Sequence, residues 1–93
     1  MAARNAAPEV EIYTTMWCPY SHRAKSLLES KRVKFREIDV TYDPEKRAEM
    51  SARAEGRTTV PQIFIGGRPI GGSEELDALE EAGELDRLLG RAG

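Results

Sequence analysis

The hydrophobic pattern of this chain changes its period repeatedly, and this change constrains the fold more than any other feature. Val10 and Ile12 alternate with Glu11 and Tyr13, as expected of a strand. Apolar residues then recur at helical spacing across residues 24–31. Because similar changes of period continue along the chain, we expect the order βαβα followed by ββα.

A second strand and a second helix are predicted next. A second strand is suggested by Val33, Phe35, Glu37-Ile38 and Val40. Asp43, Pro44 and Glu45 then form a helix-start signal, with an N-cap residue, a proline in the first turn and an acid near the positive end of the helix dipole. We expect this helix to end before Gly56.

The last part of the chain predicts a β-hairpin followed by helices. The segment 59–65 is typical of a strand entered through a proline, and Gly66-Gly67 predicts a turn into a short strand around residues 69–70. We expect Ser73 to cap a third helix. Residues 85–89 should form a short fourth helix.

The order of the elements determines how the strands can pair. A helical crossover between the first two strands requires them to be parallel, whereas the hairpin adds antiparallel strands. The 93 residues, 40% of them hydrophobic, suffice for one domain with a single modest core. The sequence therefore predicts an α/β protein with a mixed four-stranded sheet flanked by helices. We expect residues 1–8 to be a flexible leader and residues 9–93 to form the domain.

Charge and composition exclude several classes of function. Fourteen basic residues are interleaved with sixteen acidic ones, for a formal net charge of -2. Because binding to nucleic acid depends on clustered lysines and arginines, we expect no nucleic-acid partner. The residues up to Pro8 contain no apolar run long enough for a signal peptide or a membrane span, so we expect no membrane association.

Cys18 is the only cysteine in the sequence, so the chain cannot form an intramolecular disulfide. A chain without a disulfide framework favours a reducing compartment, and we expect a cytoplasmic protein. Cys18 stands where the first strand gives way to the first helix, directly before Pro19. Unpaired N–H groups and the positive end of the helix dipole favour the thiolate at such a position. His22, Arg23 and Lys25 would either add to this effect or point into solvent.

Cys18 and Ser21 occupy the first and last positions of a motif that resembles C-x-x-C. Because Ser21 cannot act as a resolving thiol, redox chemistry at Cys18 must use a second thiol from outside. Ser21 either donates a hydrogen bond to the thiolate or has no chemical part. Two explanations of this residue stay open: a natural C-x-x-S sequence, and the replacement of an original cysteine.

Three separated segments carry a resemblance to a known family. They are residues 12–14 leading into Cys18-Pro19-Tyr20, residues 57–65, and Gly71-Gly72 followed by residues 73–76. The sequence resembles a glutaredoxin of the short bacterial type over about residues 9–90. The resemblance implies a thioredoxin-like fold, glutathione as the partner thiol, and reduction of protein–glutathione mixed disulfides. Since the family's dithiol members have a second cysteine where this chain has serine, it implies a monothiol mechanism through Cys18.

The resemblance also implies where the backbone would bind glutathione. In the family, the proline at the position of Pro61 follows a cis peptide bond, and Val60 would offer its N–H and C=O to the cysteinyl part of glutathione. Gly72 would form the turn beside the γ-glutamyl end. The γ-glutamyl carboxylate would meet the N–H groups of Ser73 and Glu74 at the start of the third helix.

Side chains would complete the implied site. The ammonium group of glutathione would meet Glu74 or Glu75, where the family usually has aspartate. The glycine carboxylate would lie near Arg57, and Tyr20 and Thr59 would belong to the same groove.

Two residues shortly before Cys18 also bear on the predicted site. Many relatives have a lysine where this chain has Thr15, so one expected cation is missing. Trp17 either shields the sulfur and stacks on a substrate or covers exposed core.

A binding module is the alternative to an enzyme. Two chains and two glutathiones would supply four thiolates to a 2Fe–2S cluster across a dimer, with Cys18 as the protein ligand, as in some one-cysteine relatives. Pro19 stiffens the motif, and the sequence lacks the Cys-Gly-Phe-Ser pattern of dedicated cluster carriers. We therefore expect a monomeric oxidoreductase that acts on glutathionylated proteins and requires no metal.

Overall fold

The computed structural model describes residues 8–91, so the predicted leader lies outside the described residues except for Pro8. The described chain has the predicted order of elements. The strands are Val10–Thr14 (β1), Arg36–Asp39 (β2), Gln62–Ile65 (β3) and Arg68–Gly71 (β4). The helices are Pro19–Ser30 (α1), Pro44–Arg53 (α2), Ser73–Glu81 (α3) and Leu85–Leu88 (α4). None of these helices is long and apolar enough to cross a membrane.

The four strands form one sheet in the order β2-β1-β3-β4. Strand β1 pairs in parallel with β2 and antiparallel with β3, and β3 pairs antiparallel with β4. Tyr13 of β1 therefore lies between Ile38 of β2 and Gln62 of β3. This pairing confirms the predicted mixed sheet and places β1 and β3 at its centre.

Hydrophobic residues pack on both faces of the sheet, because β1 and β3 send alternate side chains to opposite faces. The sheet thus divides the expected single core into two clusters. One contains Val10, Ile12, Ala24, Leu28, Ile63, Ile65, Leu76, Leu85 and Leu89, from the sheet, α1, α3, α4 and the end of α4. The other contains Tyr13, Val40, Met50, Ala54 and Phe64, from the sheet and the α2 side.

Every residue of β1 is buried, including the carboxylate Glu11, so its alternating polarity does not mark an exposed face. Arg53 of α2 donates to Glu11 Oε1 at 2.7 Å and to the Tyr13 hydroxyl at 2.8 Å. Its guanidinium also lies 4.2 Å from the centroid of the Phe64 ring. Burial raises the pKa of Tyr13, whose hydroxyl donates to Glu49 at 2.6 Å. These contacts fix α2 on the sheet.

The helix starts include one confirmed cap and one wrong prediction. Asp43 caps α2 as predicted, because its Oδ1 accepts a hydrogen bond from the Lys46 N–H at 3.0 Å. Ser73 does not cap α3, since Gly72 is the N-cap residue and Ser73 is already helical. Glu75 reaches back instead and accepts a hydrogen bond from the Gly72 N–H at 2.7 Å. The third helix therefore begins earlier than predicted.

Two strands are shorter than predicted. Strand β2 begins at Arg36, because the Val33 N–H first closes the end of α1 by donating to the Leu28 carbonyl at 3.0 Å. Strand β3 begins at Gln62, since the proline before it has no N–H to donate to a ladder. Residues 57–61 form a loop between α2 and β3, which we call the 57–61 loop.

We predict that Arg53→Ala lowers the free energy of unfolding by about 2–4 kcal/mol, because it leaves the buried Glu11 carboxylate without its closest partner. Urea denaturation followed by circular dichroism measures this change. Arg87→Ala is the control, since Arg87 pairs with Glu84 on the surface at 3.6 Å and its loss should cost less than about 1 kcal/mol. Equal effects of the two substitutions would contradict the role of Arg53.

Candidate active site

Cys18 lies at the N-terminus of α1, on the segment that joins β1 to that helix. It is the N-cap residue, with an extended backbone, and Pro19 is the first helical residue as predicted. The Cys18 side chain is half-buried and makes no capping hydrogen bond. Its sulfur is therefore near the positive end of the helix dipole and still within reach of solvent.

The 57–61 loop lies next to this sulfur. Cys18 Sγ is 3.6 Å from the Val60 carbonyl oxygen, to which a protonated thiol donates. The Val60–Pro61 peptide bond is cis, as the resemblance implies. The fold therefore brings the backbone of Val60 to a cysteine that is 42 positions away in the sequence.

A groove of about 470 Å³ lies between the 57–61 loop and the start of α3. It is lined by Tyr20, Arg57, Thr59, Val60, Pro61, Gly72, Ser73, Glu74 and Glu75. These are the residues that the resemblance implies for glutathione binding, so the fold brings the whole predicted set together. Their role in binding stays a prediction.

Ser21 is fully buried in α1, and its hydroxyl forms no hydrogen bond with any described residue. The hydrogen bond from Ser21 to Cys18, one of the two alternatives for this residue, is therefore not present in the described structure. Since serine does not form disulfides, Cys18 has no resolving partner within the chain.

Arg57 and Glu75 meet at one end of the groove. Arg57 Nη2 lies 3.5 Å from Glu75 Oε1, which also accepts the hydrogen bond from the Gly72 N–H. This backbone hydrogen bond, with help from Arg57, holds the pKa of Glu75 below its ordinary value. Glu74 is exposed and forms no ion pair within residues 8–91. Within the described residues, Glu75 Oε1 is therefore already hydrogen-bonded, whereas the Glu74 carboxylate remains available to a ligand.

Gly71 leaves room for this arrangement. Its φ of +115° lies in the region that favours glycine. A Cβ at this position would lie 2.8 Å from Glu75 Cγ and 2.9 Å from Arg57 Nη1. Any side chain at Gly71 would therefore displace both groups.

The cations that follow Cys18 in the sequence have partners of their own. Arg23 forms an ion pair with a carboxylate of α3 at 3.2 Å, and Lys25 forms one with a carboxylate of β2 at 2.9 Å. The His22 ring lies 3.1 Å from a backbone carbonyl of the segment between β1 and α1. Arg23 and Lys25 are thus paired with carboxylates of other elements.

Trp17 does not cover the core, because it is 71% exposed. Its ring meets that of Tyr42 edge to face, with centroids 6.3 Å apart, and Tyr42 is itself 80% exposed. Tyr42 was not predicted from the sequence, since no local signal links it to the cysteine. It arrives there because β1 and β2 are parallel, so the segments that follow them lie side by side.

The arrangement defines a class of protein. A lone sulfur lies at a helix N-terminus just after the central strand of a mixed sheet, and a loop with a cis proline faces it. This is the architecture of a thioredoxin-like thiol–disulfide oxidoreductase.

Similarity to known proteins in sequence and structure identifies a family within this class. The glutaredoxin family model matches residues 10–70. A glutaredoxin of Pseudomonas aeruginosa is 58% identical over 82 residues, which are 88% of this chain and 96% of that protein. The solution structure of a glutaredoxin from Brucella melitensis is 50% identical and has a TM-score of 0.79, covering 94% of this chain and 96% of that one. A crystal structure of a buckwheat glutaredoxin–glutathione complex has a TM-score of 0.80 at 26% identity, covering 89% of this chain and 77% of that one.

The chain belongs to the glutaredoxin family. Its thioredoxin-like fold is that of the solved glutaredoxins, and its general chemistry is glutathione-dependent thiol–disulfide exchange.

We predict that Glu75→Gln reduces the loss of stability in acid. Because the native pKa of Glu75 lies below its ordinary value of 4.5, the carboxylate stabilises the fold fully above that value, and this stabilisation is lost as the pH falls through the lower native pKa. The midpoint of thermal unfolding should therefore fall less for Glu75→Gln than for the wild type when the pH is lowered from about 7 to about 3.

Glu81→Gln is the control for this experiment, since Glu81 is exposed at the end of α3 and has no ion pair within residues 8–91. It should follow the wild type at every pH. If Glu75→Gln also follows the wild type, the negative charge of Glu75 contributes nothing to stability.

Proposed function

We propose that this protein reduces protein–glutathione mixed disulfides through Cys18 alone. The observation that carries the proposal is one half-buried sulfur at a helix N-terminus, 3.6 Å from the carbonyl of a groove residue, Val60. A mixed disulfide has one sulfur on glutathione and the other on the protein. A groove that holds the glutathione half beside the nucleophile selects which sulfur is attacked.

The proposed reaction has two exchange steps. First, the Cys18 thiolate attacks the glutathione sulfur, a Cys18–glutathione disulfide forms, and the substrate protein leaves as a thiolate that takes a proton from solvent. Second, the thiolate of another glutathione attacks the glutathione sulfur of this intermediate. Oxidised glutathione then leaves, and the Cys18 thiolate is regenerated. Glutathione supplies the two electrons that reduce the substrate.

Ser21 makes this a monothiol reaction. A hydroxyl cannot displace the Cys18–glutathione disulfide, so the intermediate persists until glutathione arrives from solution. The cycle therefore requires a reducing compartment that contains glutathione, and we place the protein in the cytoplasm. One chain holds all the groups that the cycle uses, so we propose that it acts as a monomer.

The polar groups of the groove support one binding mode. The N–H and C=O of Val60 would pair with the cysteinyl backbone as an added strand does. The γ-glutamyl carboxylate would meet the N–H groups of Ser73 and Glu74 at the start of α3. Because Glu75 already accepts a hydrogen bond from Gly72, we assign the ammonium group to Glu74.

The other end of glutathione would meet Arg57. Its side chain is 47% exposed, and its 3.5 Å contact with Glu75 leaves guanidinium N–H groups for the glycine carboxylate. Tyr20 and Thr59 would line the tripeptide between the two ends. The structurally similar buckwheat glutaredoxin, which was crystallised with glutathione, supports this ligand.

Oxidised glutathione should trap the proposed intermediate. Mass spectrometry should find one glutathione attached to Cys18 and lost on reduction. Cys18→Ser should show no adduct and no turnover of a glutathionylated protein, because it lacks the sulfur that forms the intermediate. Wild-type protein that stays unlabelled would contradict the mechanism. Visible absorption bands from freshly purified anaerobic protein would instead favour the cluster-binding module.

We predict that Glu74→Gln raises the KM for glutathione about fivefold, as expected for the loss of an exposed ion pair worth about 1 kcal/mol. The kcat at saturating glutathione should not change, because the carboxylate does not touch the reacting sulfurs. Glu81→Gln removes the same charge from the far end of α3 and should keep the wild-type KM. A wild-type KM for Glu74→Gln, with a raised KM for Glu75→Gln, would reverse the assignment of the ammonium group.

A further inference from the structure

The 57–61 loop lines a large part of the groove, although it contains no helix or strand. Its groove residues are Arg57, Thr59, Val60 and Pro61. Residues 57–59 are exposed, so burial does not hold them in place. Backbone of this kind is ordered only where its polar groups have fixed partners.

Two side chains from outside the groove hold successive carbonyls of this loop. Arg47 of α2 donates through Nη2 to the Thr58 carbonyl at 3.0 Å. Gln62 of β3 donates through Nε2 to the Thr59 carbonyl at 3.0 Å and to the Thr59 hydroxyl at 3.2 Å. The next carbonyl along the chain, that of Val60, is the one that faces the active-site sulfur.

Both donors belong to well-anchored elements. Gln62 is fully buried and pairs with Tyr13 at the centre of the sheet. The Arg47 N–H donates to the Asp43 carbonyl at 3.0 Å in the first turn of α2, and Arg53 fixes the other end of that helix on the sheet. The loop is therefore tied to the sheet on one side and to α2 on the other.

We propose that Arg47 and Gln62 are positioning residues for glutathione binding. They fix the carbonyls of Thr58 and Thr59, which keeps the backbone edge of Val60 directed into the groove. Neither residue lines the groove, so both act through the loop and do not touch the ligand. An edge that is ordered in advance binds an extended ligand more tightly, because binding does not have to order it. This inference rests on the proposed function and deepens it.

The main test is Arg47→Ala, with Lys46→Ala as a matched control on the same helix. Lys46 carries the same charge, but it pairs with Glu49 at 3.3 Å and makes no hydrogen bond to the loop. Arg47→Ala should raise the KM for glutathione about 3- to 10-fold, the range expected for the loss of one exposed hydrogen bond of ordinary net strength. The kcat at saturating glutathione and the thermal unfolding midpoint should stay at wild-type values, as should every parameter of Lys46→Ala.

Two further variants test the same contacts. Arg47→Lys keeps a charged donor at this position and should recover part of the lost affinity. Gln62→Met removes the second donor at similar volume and should raise the KM in the same range as Arg47→Ala. A merely structural role would instead lower stability and kcat together with the affinity.

Backbone order parameters measured by NMR relaxation provide a readout that does not depend on activity. Arg47→Ala should lower the order parameters of Thr59 and Val60 and leave those of β1 and β3 unchanged. The proposal is overturned if these order parameters and the KM stay at wild-type values, or if Lys46→Ala has the same effects. Wild-type protein without glutathione-dependent turnover would refute the proposed function, and the order parameters would still decide the role of Arg47.

Discussion

Both hydrophobic clusters form around β1, and the chain leaves this strand directly into the segment that carries Cys18. Because β1 pairs with β2 and β3 and is buried along all 5 of its residues, a shift of register would move its apolar side chains to the wrong face. The fixed register brings the end of β1, the end of β2 and the start of β3 to the same end of the sheet. The segments that carry Cys18, Tyr42 and Pro61 begin or end there as a consequence of strand pairing in the core.

Local signals were enough to predict most of the fold, because each of them depends on neighbouring residues. The change of hydrophobic period located the strands and helices, and Asp43 with Pro44 marked the start of α2. The site was different, since no local signal states that residues 57–61 and residues 72–75 converge on Cys18. The resemblance to glutaredoxins supplied that information, and the residues it implied line one groove.

Two details of the structure differ from the prediction, one for a local reason and one because of a contact between distant residues. Ser73 has a side chain typical of an N-cap, but Glu75 takes the N-cap N–H, and Arg57 supports it from another segment. Glu11 has the position of an exposed residue in an alternating strand, but Arg53 arrives from α2 and allows it to be buried. For Glu11 the outcome is decided by which charged group the tertiary fold brings near, and the spacing of residues in the sequence contains no record of it. For Ser73 it is decided locally, by a glutamate three positions after Gly72.

Position 21 shows a mismatch between a side chain and its surroundings. Ser21 is fully buried and its hydroxyl has no partner among the described residues, which costs about 1–3 kcal/mol. A thiol is a weak donor that behaves as a small apolar group when buried, so cysteine would avoid most of this cost. The surroundings of position 21 thus suit a cysteine side chain better than a serine hydroxyl. Under the proposed mechanism, resolution of the Cys18–glutathione disulfide depends on glutathione from solution, whose binding in the groove would take over the role of a second thiol.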